Sequence, residues 1–153
     1  MATKKCARVP AEDYVGKRQY FLTFVTKARC PRFVDAAVVD CCASQILRAA
    51  TKTGFAILIS CYMPDHLHLI VEGTSDESDL QTFVKLAKQF SGYYVKQQHG
   101  FALWEPGYHD RFIRRADDLS SRIEYVRMNP VRAGLVAKPE DYPFLFFERP
   151  APD

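Results

Sequence analysis

Two apolar runs separated by three residues constrain this chain more than any other feature. Phe55 to Tyr62 is an apolar run of strand length, and it reads as a buried strand. Met63-Pro64-Asp65 breaks it, and His66 to Val71 resumes as a second strand. So short a break makes the two hairpin neighbours. Within the second strand the residue types alternate. Leu67 and Leu69 point to one face and belong in a core, while His66 and His68 share the other.

The remaining elements follow from periodicity. Arg18 to Thr26 is rich in aromatic and β-branched residues and reads as a strand. Phe33 to Thr53 carries Val38, Val39, Cys42, Ile46, Leu47 and Ala50 at helical spacing, with Gly54 as a stop. Asp79 to Gln98 is a second helix, with Leu80, Phe83, Leu86, Ala87, Phe90 and Tyr94 turned inward and Lys85, Lys88, Gln89 and Lys96 near the outer side. Leu103 to Ile113 contains another strand. A third helix runs through Leu119, Ile123 and Val126, capped by Asp117 or Asp118. Pro130 disfavours helical geometry at Asn129, so that helix should end there, followed by a short turn closed at Gly134. The first dozen residues read as a loose arm, and Pro139 to Asp153 as an irregular, Phe-rich tail. Together these elements predict an α+β chain, one mainly antiparallel sheet with helices against it. Residues 1–153 make one domain, with its core over about 20–143.

Composition narrows the function classes only slightly. The formal net charge is +3, which permits nucleic-acid binding without arguing for it. Five cysteines, Cys6, Cys30, Cys41, Cys42 and Cys61, show no two-residue spacing of a zinc knuckle or redox pair. They read as reduced thiols of a cytoplasmic protein. No secretory leader is evident after Met1, and no apolar run approaches the roughly 20 residues of a membrane span.

His66 and His68 sit about 6–7 Å apart along their strand, so two imidazoles can bind one divalent metal from one side. An isolated His-x-His is more often a solvated pair, and a zinc site would need a third ligand at fixed spacing. Tyr125 and Asn129, four residues apart, share a helical face. Alone they read as a core tyrosine with a wet hydroxyl and a helix terminator. Taken with the histidines they suggest more. A phenol with a pKa near 10 needs activation to attack at neutral pH. A metal held by two imidazoles and an amide oxygen can polarise a phosphate and stabilise its transition state.

Four blocks carry a family resemblance over about Tyr20 to Pro143. They are Tyr62-Met63-Pro64-Asp65-His66-Leu67-His68-Leu69-Ile70-Val71, Leu103-Trp104, Asp110-Arg111-Phe112-Ile113-Arg114, and Tyr125-Val126-Arg127-Met128-Asn129-Pro130-Val131-Arg132-Ala133-Gly134-Leu135-Val136. With these the chain resembles the HUH-type single-tyrosine transposases, the IS200-like group, and looks closest to the REP-associated tyrosine transposases. The resemblance implies a ferredoxin-like (RRM-like) sheet with the histidine pair on a central strand. It implies Tyr125 as nucleophile, and His66, His68 and Asn129 as ligands of Mg²⁺ or Mn²⁺. The implied reaction cleaves and rejoins single-stranded DNA next to a hairpin, through a covalent 5′-phosphotyrosine and a free 3′-hydroxyl. Either a monomer or a homodimer fits.

DNA contacts are expected from Arg111, Arg114 and Arg115, and from Lys85 and Lys88 on the neighbouring helix. Trp104 is a candidate stacking platform, with a core position as the competing reading. Tyr93 and Tyr94 are rival nucleophiles without a matching motif. Two other functions stand beside this one. A non-catalytic single-stranded nucleic-acid-binding module on the same fold would not need all the site elements. A water-using metal nuclease would want more carboxylates than Asp65 and Glu72 near the histidines.

Overall fold

Residues 11–147 are described by the structure, a computed structural model. Cys6, most of the expected N-terminal arm and the last six residues of the tail lie outside the described residues. The elements are β1 (Gln19–Val25), α1 (Ala36–Thr53), β2 (Phe55–Met63), β3 (His66–Gly73), α2 (Leu80–His99), β4 (His109–Ile113), α3 (Ala116–Arg132) and β5 (Leu145–Phe147). The sheet order is β4-β1-β3-β2-β5, and every pairing is antiparallel. The first four strands with α1 and α2 form the βαββαβ arrangement of a ferredoxin-like fold.

Local chemistry sets the element ends. Asp35 caps α1 by accepting from the Ala37 N–H at 2.9 Å, and Asp79 caps α2 by accepting from Gln81 at 3.0 Å. Gly54 and Gly100 close the two helices in the left-handed region, at φ 78° and 85°. The helices occupy both faces of the sheet. On one face α1 and α2 pack over Tyr20, Leu22, Phe24, Leu67, Leu69 and Val71. On the other, α3 lays Val126 against Ile59, Cys61, Met63, Ile70 and Ile113. The alternation expected in β3 therefore holds, with Leu67 and Leu69 fully buried under α1 and α2.

Several expectations are corrected. Helix α3 continues through Pro130 to Arg132 instead of ending at Asn129. The ring removes the one N–H that would reach the Val126 carbonyl, but the next turn re-forms through Ala133 N–H to Asn129 O at 3.0 Å and Leu135 N–H to Pro130 O at 2.9 Å. Gly134, at φ 76°, then closes the turn as expected. The N-cap is Arg115, not Asp117 or Asp118, and those carboxylates sit in the first turn, where the helix dipole favours them. The Phe-rich tail is not wholly irregular, because Leu145–Phe147 pairs with Ile59–Cys61 as a fifth strand. Lys88 does not point outward. Its Nζ is drawn in to donate to the Glu105 carbonyl at 2.7 Å and to the Gly107 carbonyl, and burial pushes its pKa down to about 8.

Two glycines give opposite expectations. A Cβ on Gly73 would stand 2.1 Å from the Gly16 carbonyl oxygen, a backbone atom that cannot swing aside. On Gly92, inside α2, a Cβ would meet only Trp104 Cδ1 at 3.7 Å, an ordinary contact. Gly73→Ala should lower stability by about 1–3 kcal/mol. Gly92→Ala should raise it by about 0.5–1 kcal/mol. Urea denaturation midpoints check both, and equal midpoints for Gly73→Ala and wild type would refute the close approach.

Candidate active site

The face of the sheet that carries α3 is only partly covered by it. Where β1 and β3 run beside the helix, Phe21, Thr23, His66 and His68 are presented together. Register brings this about, since Thr23 lies directly opposite His68 and Phe21 opposite Ile70. The two imidazole centroids are 4.7 Å apart, closer than the backbone spacing along a strand.

Each imidazole is held at the same nitrogen. His66 Nδ1–H donates to Asp65 Oδ1 at 2.8 Å, and Asp65 Oδ2 accepts from Arg29 Nε at 3.0 Å. Burial works against the Asp65 charge, but the His66 hydrogen bond and the Arg29 guanidinium hold its carboxyl below the usual range. His68 Nδ1 lies 3.0 Å from Thr23 Oγ1, a hydroxyl that can accept its N–H. Burial first, then the neighbouring charges of His66 and Arg132, push His68 down to about 3, so its ring is neutral at pH 7. In the neutral tautomer that carries its proton on Nδ1, each ring presents a lone pair at Nε2, the donor a divalent cation needs. Asn129, half-buried one turn after Tyr125, could add an amide oxygen; its side chain makes no hydrogen bond among the described residues.

Tyr125 stands beside His68. Its ring centroid is 6.2 Å from that of His68 and 6.1 Å from that of Phe21, and the residue is 42% exposed. Arg132 lies over the Tyr125 ring, with Cζ 4.1 Å from the centroid. Beside Tyr125 opens a groove of about 460 Å³ between β4 and α3, lined by Arg111, Ile113, Asp118, Ser121 and Arg122. The Arg122 guanidinium stands 5.4 Å over the Phe21 ring.

The structure thus brings together His66, His68 and Tyr125, with Arg111 in the adjoining groove and Asn129 one turn after Tyr125 on α3. Lys85, Lys88 and Trp104 are elsewhere, on or against α2 on the opposite face of the sheet. Trp104 packs on Phe24 and Phe33 and donates its Nε1–H to Ser91 Oγ at 2.9 Å, so the core reading describes its position. Arg114 turns its guanidinium over Phe112, 5.1 Å from that ring, and Arg115 lies 3.8 Å from Asp118 at the start of α3. Tyr93 and Tyr94 are also on α2, across the sheet from the histidines. Sequence reasoning missed Thr23, Phe21, Arg29, Arg122 and Arg132. A signal existed for the last two, since they lie three residues before and seven after Tyr125 on one helical face. Cys30, Cys41, Cys42 and Cys61 are free thiols. Among the described residues, no helix is long and apolar enough to cross a membrane.

Comparison with known proteins gives four concordant likenesses. Residues 14–129 match the family model described as Transposase IS200 like. A Haemophilus influenzae protein provisionally named REP-associated tyrosine transposase is 24% identical over 148 residues, spanning 90% of this chain and 84% of that one. A REP-associated tyrosine transposase of Escherichia coli is 30% identical over 110 residues, 68% of this chain and 61% of that protein. Among solved structures, a REP-associated tyrosine transposase bound to a REP hairpin has a TM-score of 0.77, covering 94% of this chain and 82% of that one. At 20% identity, that likeness is one of fold.

The Arg29–Asp65–His66 chain of contacts makes its own prediction. Removing the outer carboxylate frees the His66 ring to rotate and withdraws the partner that fixes its tautomer. Asp65→Ala should weaken Mn²⁺ binding by about 10- to 100-fold in calorimetric titration. Unchanged affinity would mean that Asp65 does not orient the imidazole.

Proposed function

The chain belongs to the IS200-like transposase family, and from that premise we propose that it cleaves and rejoins single-stranded DNA beside a hairpin through a covalent bond to Tyr125. The observation that carries the reading is a half-exposed phenol standing 6.2 Å from the His68 ring, which is itself 4.7 Å from that of His66 on the same sheet face. Among the described residues, no other tyrosine ring stands beside either histidine.

The chemistry is a transesterification. The Tyr125 oxygen forms a bond to phosphorus, the bond from phosphorus to the 3′-oxygen breaks, and the proton lost by the phenol is balanced by the one gained at the 3′-hydroxyl. The 5′-phosphotyrosine keeps the phosphodiester energy, so the reverse attack rejoins strands. His66, His68 and Asn129 would hold Mg²⁺ or Mn²⁺. Such an ion, when bound, polarises the phosphate and offsets charge in the transition state. Asp65 and Thr23 aim the imidazoles by holding their Nδ1 atoms. Arg111 and Arg122, in the groove beside Tyr125, would follow the DNA backbone on one side of the scissile bond. Hairpin DNA as the partner is carried over from the relative whose structure is described as bound to a REP hairpin. Action on DNA is in keeping with a cytoplasmic location.

Tyr125→Phe removes one oxygen and keeps the ring, so folding should change little while the adduct disappears. Single strands tiling the DNA around the gene, incubated with Mn²⁺ and run on denaturing gels, should give a protein–DNA adduct with wild type and none with the variant. Tyr93→Phe and Tyr94→Phe should keep it, and a phospho-linkage found on either by mass spectrometry would overturn the assignment. DNA binding without any adduct is the outcome of a non-catalytic module. In the same assay His66→Ala and His68→Ala should each abolish cleavage and largely spare DNA binding. Cleavage at the wild-type rate by either would refute their role.

A further inference from the structure

Arginines on α3 mostly have protein partners. Arg127 donates to Glu124 at 3.0 Å and to Glu140 at 3.4 Å. Arg122 stacks on Phe21 at the groove. Arg132, in the last turn, reaches back over two turns instead. Its Nη2 donates to the Tyr125 backbone carbonyl at 2.5 Å, and its guanidinium covers the Tyr125 ring at 4.1 Å. A guanidinium has five N–H donors. Among the described residues no other protein group accepts from Arg132, and the residue is exposed. It also lies three positions beyond the segment that matches the family model.

We propose that Arg132 is the phosphate clamp of this site: it fixes the Tyr125 ring by stacking on it and gives its free N–H groups to the non-bridging oxygens of the scissile phosphate. The inference rests on the Tyr125 reading above. Attack brings phosphorus onto the phenol oxygen, at the rim of the ring that Arg132 covers. The non-bridging oxygens then come within reach of the outward edge of the guanidinium, whose planar fork suits two oxygens at once. Charge grows on those oxygens in the transition state, and a preorganised donor there lowers the barrier. Folding alone makes a weaker case for Arg132. A cation near a helix C-terminus stabilises the dipole, but a lysine does that equally well.

Methylphosphonate at the scissile linkage separates the two roles, since it replaces one non-bridging oxygen by methyl and removes the charge. Arg132→Ala should cut the single-turnover cleavage rate of the phosphodiester strand by about 100-fold, with DNA affinity little changed. Arg132→Lys, which keeps the cation near the helix end but lacks the fork, should stay at least tenfold slow. On the methylphosphonate strand the gap between wild type and Arg132→Ala should close by at least about tenfold, the coupling expected of groups in contact. An equal defect on both strands, or wild-type cleavage of the phosphodiester by either variant, would overturn the clamp. Should Arg132→Ala fail to fold by its urea midpoint, Arg132→Lys is read on the same two strands by the same criterion. Failure of wild type to form an adduct with any strand would instead overturn the Tyr125 reading.

Discussion

The register of β3 between β1 and β2 is the constraint on which the rest depends. Side chains alternate with a period of two, so each residue of this strand is assigned to one face or the other by its pairing. In the observed register Leu67 and Leu69 enter the core beneath α1 and α2, and His66 and His68 face the opposite side. A slip by one residue would place two imidazoles in an apolar core and two leucines at the site. Burying those polar rings without partners is expensive, so hydrophobic packing on one face enforces the chemistry on the other. Thr23 and Phe21 are delivered by the same pairing, and Phe21 then touches both His68 and Tyr125.

How much of this was legible depended on the range over which each contact acts. The β2–β3 hairpin, both long helices and the shared face of the histidines are local or periodic, and the sequence carries them openly. The alternation of Tyr20, Leu22 and Phe24 with Phe21 and Thr23 was equally visible, but nothing in β1 says that Thr23 will stand opposite His68. That pairing joins residues 45 positions apart. Lys88 and Trp104 misled for a related reason. Their residue types suit nucleic acid, yet the 103–107 segment folds back over α2 and occupies both with carbonyl and hydroxyl partners. Pro130 misled because a proline removes only one helical hydrogen bond, and the turn beyond it is strong enough to continue.

The environment of the site divides its labour between buried and exposed parts. His68 and the Thr23 contact are withdrawn from water, which keeps the ring neutral. Tyr125, Arg111 and Arg132 are exposed, which leaves a polymer free to approach. Asp65 lies at the boundary, with its carboxylate shared between His66 and the exposed Arg29. Two consecutive residues in the left-handed region, Ala28 and Arg29, shape the loop that brings this arginine in. Non-glycine residues adopt that conformation at a cost of about 1–2 kcal/mol each, so the surrounding contacts must hold the loop. The Ala28 N–H donation to Glu105 at 2.6 Å and the Arg29–Asp65 pair are such contacts.

Helices on both faces of one sheet also bear on how such a chain can change over time. The α1/α2 side carries most of the apolar burial, and the α3 side carries the reactive groups. Substitutions that share no partner combine almost independently. Drift in the large core can therefore be compensated within that core, without disturbing the imidazoles or the phenol. New specificity can in turn accumulate along β4 and α3 while the opposite layer maintains the fold. A chain organised in this way can be retargeted and stabilised as two nearly separate problems.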